Sequence, residues 1–179
     1  MMIALDTETT GLLKPNACEL WQQPHIIEFY ACKFDRQGKI TDEIETYIKP
    51  PVPLPEIITQ ITGITDSMLI GAPSFIEVYP RIAAFFLGET DIFAHNCSFD
   101  IGMLKNELRR HALEYKFPWP QHHHCTVELT HCIENKRLKL DKLYDIATHG
   151  QSRYGSHRAK QDVLDLVKAI KWMYDEGFL

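Results

Sequence analysis

At 179 residues the chain can bury roughly two-thirds of its unfolded surface in one domain without disulfides or structural metal, and a single domain over residues 1–179 is expected. Its 45% hydrophobic and 24% charged composition, with no apolar run long enough to span a bilayer, excludes a helical membrane protein. A net charge of −5 excludes whole-surface attraction to nucleic acid, and an N-terminus that enters an apolar run at once, without a basic leader, points to a cytoplasmic setting.

In chain order, Met2 to Leu5 reads as a buried strand. Two β-rich runs, Pro24 to Phe34 and Gly38 to Ile48, form an expected hairpin around Asp35–Gly38. The connector Lys49–Pro55 is stiffened by four prolines, and Pro55 suits the first position of a helix over Glu56 to Ile61 that Gly63 stops. A second helix is expected from Ser74 to Leu87, then a buried strand from Asp91 to Ala94. Phe99 to Ala112 places Ile101, Leu104, Leu108 and Ala112 on one helical stripe, so this helix should pack on a sheet. Further on come a short strand near His124 and Cys125, helices near Val127 to Ile133 and Leu140 to Ala147, and a final helix from Arg158 to Asp175. Strands first, then strand–helix alternation, imply a mixed α/β sheet covered by helices.

Cys18, Cys32, Cys97, Cys125 and Cys132 are odd in number and irregularly spaced, which favours reduced thiols. His122 to Cys125 with His131 and Cys132 lacks the pairwise spacing of a zinc site, and His122, His123 and His124 read as a loop entering a strand. Charge is uneven: Lys136, Arg137, Lys139, Lys142, Arg153, Arg158 and Lys160 face only Asp141 and Asp145 over residues 136–160. This basic strip is expected to contact phosphate.

Three short stretches carry chemistry. In Asp6-Thr7-Glu8 the two acids are two apart, so an extended backbone presents both carboxylates to one point past the strand's carboxyl end, where open α/β sheets build sites. Thr9-Thr10-Gly11-Leu12 follows as a tight turn that lets backbone approach a ligand and projects Leu12 beside it. Asp100 falls in the first turn of a helix, after His95-Asn96-Cys97-Ser98, where the helix dipole favours a carboxylate in any case. His157 and Asp162 are five apart, about 140° around one helix. They converge only if His157 sits in the loop Gly150–Ser156 region and Asp162 on the helix's first turns; that loop is expected to be mobile, with Tyr154 available to stack on a base. Four acids form a hard oxygen set suited to Mg²⁺ or Mn²⁺, and a neutral histidine beside them can take a proton from water.

Ile3–Leu12, Ala94–Asp100 and His157–Asp162, with Ile61-Thr-Gly-Ile64 as a secondary match, resemble the motifs of the DnaQ-like 3′-to-5′ exonucleases, in the DEDDh branch whose last motif carries a histidine five before an aspartate. The resemblance implies a ribonuclease-H-like fold: a mixed five-stranded sheet, order 3-2-1-4-5, flanked by helices. It implies two divalent cations, with Asp6 bridging both, Glu8 and Asp162 on the first and Asp100 on the second, and His157 as general base. Thr9, Thr10, Gly11, Leu12, Ile61, Asn96 and Phe99 would form the terminal-nucleotide pocket. The implied substrates are single-stranded or frayed 3′ ends of DNA, in repair or proofreading-like work; RNA trimming on the same scaffold and an inactive nucleic-acid-binding or polymerase-associated module are the alternatives. The chain stops at Leu179, right after its last expected helix, which leaves polymerase association open.

Overall fold

The structure, a computed structural model, describes residues 1–15, 19–153 and 157–179. Among them, β1 (Met2–Thr9), β2 (Ile26–Phe34), β3 (Ile40–Tyr47), β4 (Asp91–Ala94) and β5 (His122–Cys125) form one sheet in the order β3-β2-β1-β4-β5. β1 runs antiparallel to β2 and parallel to β4, and β4 runs parallel to β5. α1 (Glu56–Thr62), α2 (Asp66–Leu69) and α3 (Phe75–Phe86) connect β3 to β4, and α4 (Cys97–Arg110) connects β4 to β5. α5 (Thr126–Leu129), α6 (His131–Glu134), α7 (Leu140–Ala147) and α8 (Ala159–Asp175) follow. No helix among the described residues is long and apolar enough to cross a membrane.

Three local outcomes differ from the sequence reading. β1 continues past Leu5 to Thr9, because β2 pairs with it as far as Thr9↔Ile26, with a bulge between Glu8 and Thr9; Asp6 and Glu8 therefore lie within the strand. The helix expected near Val127 to Ile133 is divided at Thr130, whose hydroxyl donates to the Val127 carbonyl at 2.6 Å and accepts the Leu138 N–H at 3.0 Å. A side chain that bonds nearby backbone competes with a continuous helix. The three histidines form β5 itself: His122 N–H bonds the Thr90 carbonyl, and His124 stacks on Phe93 at 4.3 Å while bonding Asp91 at 2.8 Å.

The helices cover both faces of the sheet, and strand alternation decides which face each residue serves. Ile3 and Leu5 of β1 pack with Ile82 and Phe86 of α3 and Leu104 and Leu108 of α4. Ala4, from the opposite face, packs with Val163, Leu166 and Ile170 of α8. Extending this alternation past Leu5 sends Asp6 and Glu8 toward α8 and Thr7 toward α4. α3 begins with a capping box in which Ser74 and Glu77 satisfy each other's backbone N–H groups, and α1 ends at Gly63, where φ is +73°.

Candidate active site

On the α8 face, Asp6, Glu8 and Asp162 converge: one carboxylate oxygen from each lies within 4.8 Å of the others. Asp162 reaches them from the first turn of α8. Asp100 arrives from the other side. Because β4 pairs with β1 only as far as Ala4, the next residues of β1 lack a strand partner on that edge. Thr7 turns there to Asp100, whose Oδ1 accepts both its N–H at 3.0 Å and its hydroxyl at 2.8 Å. Asp100 is 2% exposed, and its charge is the strongest neighbouring influence on Asp6.

These acids repel one another. Burial first, then Asp100, Glu8, Asp162 and Glu28, raise the Asp6 carboxyl well above its ordinary value. Burial, Asp162, Glu28 and Asp100 push Glu8 up to about 8, with Arg158 partly offsetting them. Burial also raises Asp100 against the opposing hydrogen bonds from Thr7, and raises Asp162 against the opposing charge of Arg153. Three converging carboxylates, with no thiolate or imidazole among them, suit a hard divalent cation, and the repulsion is what such an ion would relieve.

His157 lies just before α8, exposed, with φ at +65°, a left-handed turn uncommon for any residue but glycine. It lies close enough to Asp162 for its charge to help hold that carboxyl down against burial. Sequence reading missed the organising roles of two neighbours. Arg153, 5% exposed, places its guanidinium between Asp162, Asp165 at 2.9 Å and Asp141 at 2.6 Å. Glu28, 1% exposed, sits opposite Glu8 in the β1–β2 register. The signal for Glu28 was present: one acid inside the apolar run Ile26-Ile-Glu-Phe-Tyr30 must find a buried partner.

The basic strip is largely spent on internal pairs rather than held out for phosphate. Lys136 pairs with Glu134, Arg137 with Glu128, Lys142 with Asp145, Arg158 with Glu28, and Lys160 with Glu43 and Glu45. Glu28, Glu43 and Glu45 come from strands more than a hundred residues away, and Glu128 and Glu134 lie just ahead of the strip, so a count confined to residues 136–160 sees none of them.

Of the residues expected to hold a nucleotide, Thr9, Thr10 and Gly11 form a pinned turn. The Thr9 hydroxyl donates to the Gly11 carbonyl at 2.7 Å, and Thr10 exchanges two bonds with the His25 backbone at 2.8 and 2.9 Å. Leu13 beyond it packs over Gly102 of α4, where an added Cβ would meet its Cδ1 at 2.7 Å. Leu12 and Ile61 are exposed at 79% and 47%, a cost in water that a stacked base would remove. Asn96 is exposed in a left-handed turn with φ at +73°, and Phe99 is half-buried against the core. His95 is half-buried: its Nδ1 meets the Thr126 hydroxyl at 3.0 Å, and loss of water around the ring pushes its pKa down to about 4. Tyr154, with Gly155 and Ser156, lies outside the described residues.

The raised carboxyls give a pH prediction. A carboxyl with a higher pKa in the fold than in the unfolded chain loses its proton first from the unfolded chain, so stability falls as pH rises. For Glu8 the fall runs from its ordinary 4.5 to about 8. A cation that binds the ionised acids offsets this loss most fully at the upper end of that range. The increase in melting temperature on replacing EDTA with Mg²⁺ is therefore expected to be larger at about pH 8 than at about pH 5. Differential scanning fluorimetry at both pH values checks it; an increase that shrinks with pH would contradict the assignment.

The sequence profile of the exonuclease family RNase_T matches residues 3–170. The DNA polymerase III PolC-type protein of Clostridium perfringens is 33% identical over 173 residues, which are 96% of this chain and 11% of that protein. DNA polymerase III subunit epsilon of Treponema pallidum is 39% identical over 105 residues, 59% of this chain and 45% of that protein. The chain thus spans about a tenth of the PolC-type relative. Two solved structures share its fold. Exonuclease X in complex with 5′ overhanging duplex DNA superposes with a TM-score of 0.69 at 23% identity, over 99% of this chain and 93% of that one. The nuclease domain of 3′hExo, a DEDDh family member bound to rAMP, gives 0.77 at 17% identity, over 98% and 92%.

Proposed function

The chain belongs to the RNase_T exonuclease family, and on that premise we propose that it is a metal-dependent 3′-to-5′ exodeoxyribonuclease that releases 5′-mononucleotides from single-stranded or frayed 3′ ends, in proofreading-like or repair work. The observation that carries this reading is the convergence of Asp6, Glu8 and Asp162 with Asp100 behind them. Similarity to two DNA polymerase III proteins favours DNA over RNA as substrate and makes association with a polymerase part of the same proposal.

Asp6, Glu8 and Asp162 would hold the divalent ions, with Asp100 charging the site from beneath Thr7. When bound there, a pair of divalent cations supplies Lewis-acid stabilisation of the attacking and departing oxygens of a phosphodiester. His157 takes the proton from the attacking water, which requires its exposed ring to turn toward the acids once substrate is present. The pinned Thr9–Gly11 turn presents backbone to the terminal nucleotide, Leu12 and Ile61 contact its base, and Asn96 and Phe99 border the pocket. Exposed ion pairs such as Lys160 with Glu45 are weak enough to reopen toward phosphate. A chain end needs only this short grip.

Digestion of matched DNA and RNA oligonucleotides labelled at either end tests the proposal. With Mg²⁺, the 5′-labelled DNA strand should shorten stepwise, the 3′-labelled one should release its label as a mononucleotide, and EDTA should stop both. Internal cuts, loss from the 5′ end or faster digestion of RNA would overturn the corresponding part.

A further inference from the structure

α8 begins without help from its own cap. Arg158 holds the cap position, and an arginine side chain has no acceptor to offer the helix's first N–H groups. The acceptor comes from across the sheet: Glu28 Oε2 takes the Ala159 N–H at 3.0 Å. The same carboxylate takes Arg158 Nη2 at 2.8 Å and Nε at 3.2 Å, and Nη2 also donates to the Tyr47 hydroxyl at 2.6 Å. Glu28 is 1% exposed, and its two oxygens are committed to this helix end, 130 residues away in sequence. In the strand register it lies directly opposite Glu8, while Tyr47 lies opposite Glu28 on the next strand. The anchor is therefore built into the sheet beside the acid cluster.

The segment so anchored contains His157 in its left-handed turn, the residue just before Arg158, and Asp162 one turn into the helix. A left-handed non-glycine turn is strained and persists only where its surroundings over-determine it. Here the residues that follow it are fixed by the Glu28 clamp on Arg158 and Ala159.

We propose that Glu28 is a positioning residue: its clamp on Arg158 and the Ala159 N–H sets the angle at which α8 delivers His157 and Asp162 to Asp6 and Glu8. The proposal rests on the reading that those four residues carry the hydrolysis. A carboxylate beside Glu8 would also act simply as added negative charge that attracts cations. Charge and position make opposite forecasts for Arg158. Removing Arg158 leaves Glu28 unneutralised, so an effect of charge alone would tighten cation binding, whereas loss of the clamp would weaken it.

The experiment compares Glu28→Gln and Arg158→Gln with the parent chain in Mn²⁺ calorimetry without nucleic acid, and in steady-state digestion of a single-stranded oligonucleotide. Positioning predicts weaker Mn²⁺ binding in both variants. It also predicts a kcat reduced roughly 10–100-fold, the range seen when groups that orient metal ligands are removed, with KM for the oligonucleotide little changed. Where Arg158→Gln fails to fold by circular dichroism, Arg158→Lys replaces it: the charge stays and the forked donor geometry goes. Positioning then predicts lost Mn²⁺ affinity and kcat, and charge alone predicts parental values. Tighter Mn²⁺ binding in Arg158→Gln, parental behaviour of Arg158→Lys, or a Glu28→Gln protein with parental kcat and Mn²⁺ affinity would overturn the proposal. Asp6→Asn distinguishes the two levels: if it keeps full activity the site reading itself fails, and if it is impaired while Glu28→Gln is not, only the positioning role fails.

Discussion

Replacing Asp6 by Asn should abolish Mg²⁺-dependent digestion and, in EDTA, make the protein more stable. Asp6 stands where burial and four neighbouring carboxylates all oppose its charge, so in the absence of a cation it is a source of strain in the fold. Asparagine keeps the shape and removes the repulsion. The gain should appear at about pH 8 as a Tm in EDTA several degrees above that of the parent chain. The expected loss of kcat is roughly a thousandfold or more, because several kcal/mol of transition-state stabilisation depends on cations held by this residue. Melting curves with EDTA and with Mg²⁺, beside single-turnover digestion, read both effects. A variant that is both inactive and less stable in EDTA would mean that Asp6 is held by attractive partners, contrary to its surroundings here.

His157→Asn should separate catalysis from cation binding. Asparagine tolerates the left-handed conformation that His157 adopts, so the turn into α8 is preserved and alanine's added strain is avoided. With the acids intact, Mn²⁺ affinity by calorimetry should stay close to that of the parent chain. The rate of the chemical step should fall roughly 10²- to 10⁴-fold, the usual contribution of a positioned general base. A rate within a factor of a few of the parent would remove His157 from the mechanism and leave the acid cluster unaffected.

How much of this was legible in the sequence depends on the range of the interactions involved. The pairing of Asp6 with Glu8 follows from a period of two along one strand. The same period, carried one residue further, explains why Asp100 meets Thr7 on the opposite face instead of joining the triad. The sheet order agreed with the motif resemblance, and α3 and α7 fell within the ranges expected for them, Ser74 to Leu87 and Leu140 to Ala147. The hidden features were those decided between distant segments. β1 extends to Thr9 because β2 supplies partners. The basic strip turns inward because Glu28, Glu43 and Glu45, on strands more than a hundred residues away in sequence, take Arg158 and Lys160. Arg153 lies among three aspartates because α7 packs beside α8 and brings Asp141 to it. A charge count along the chain reports which ions exist, and the tertiary fold decides which of them are already neutralised.

Anomalous diffraction from a crystal equilibrated with Mn²⁺ tests the central assignment most directly. Anomalous peaks are expected at coordination distance from carboxylate oxygens of Asp6, Glu8 and Asp162, with a second ion about 4 Å from the first once a nucleotide is bound. Peaks confined to other surface acids, with these three carboxylates turned apart, would contradict it.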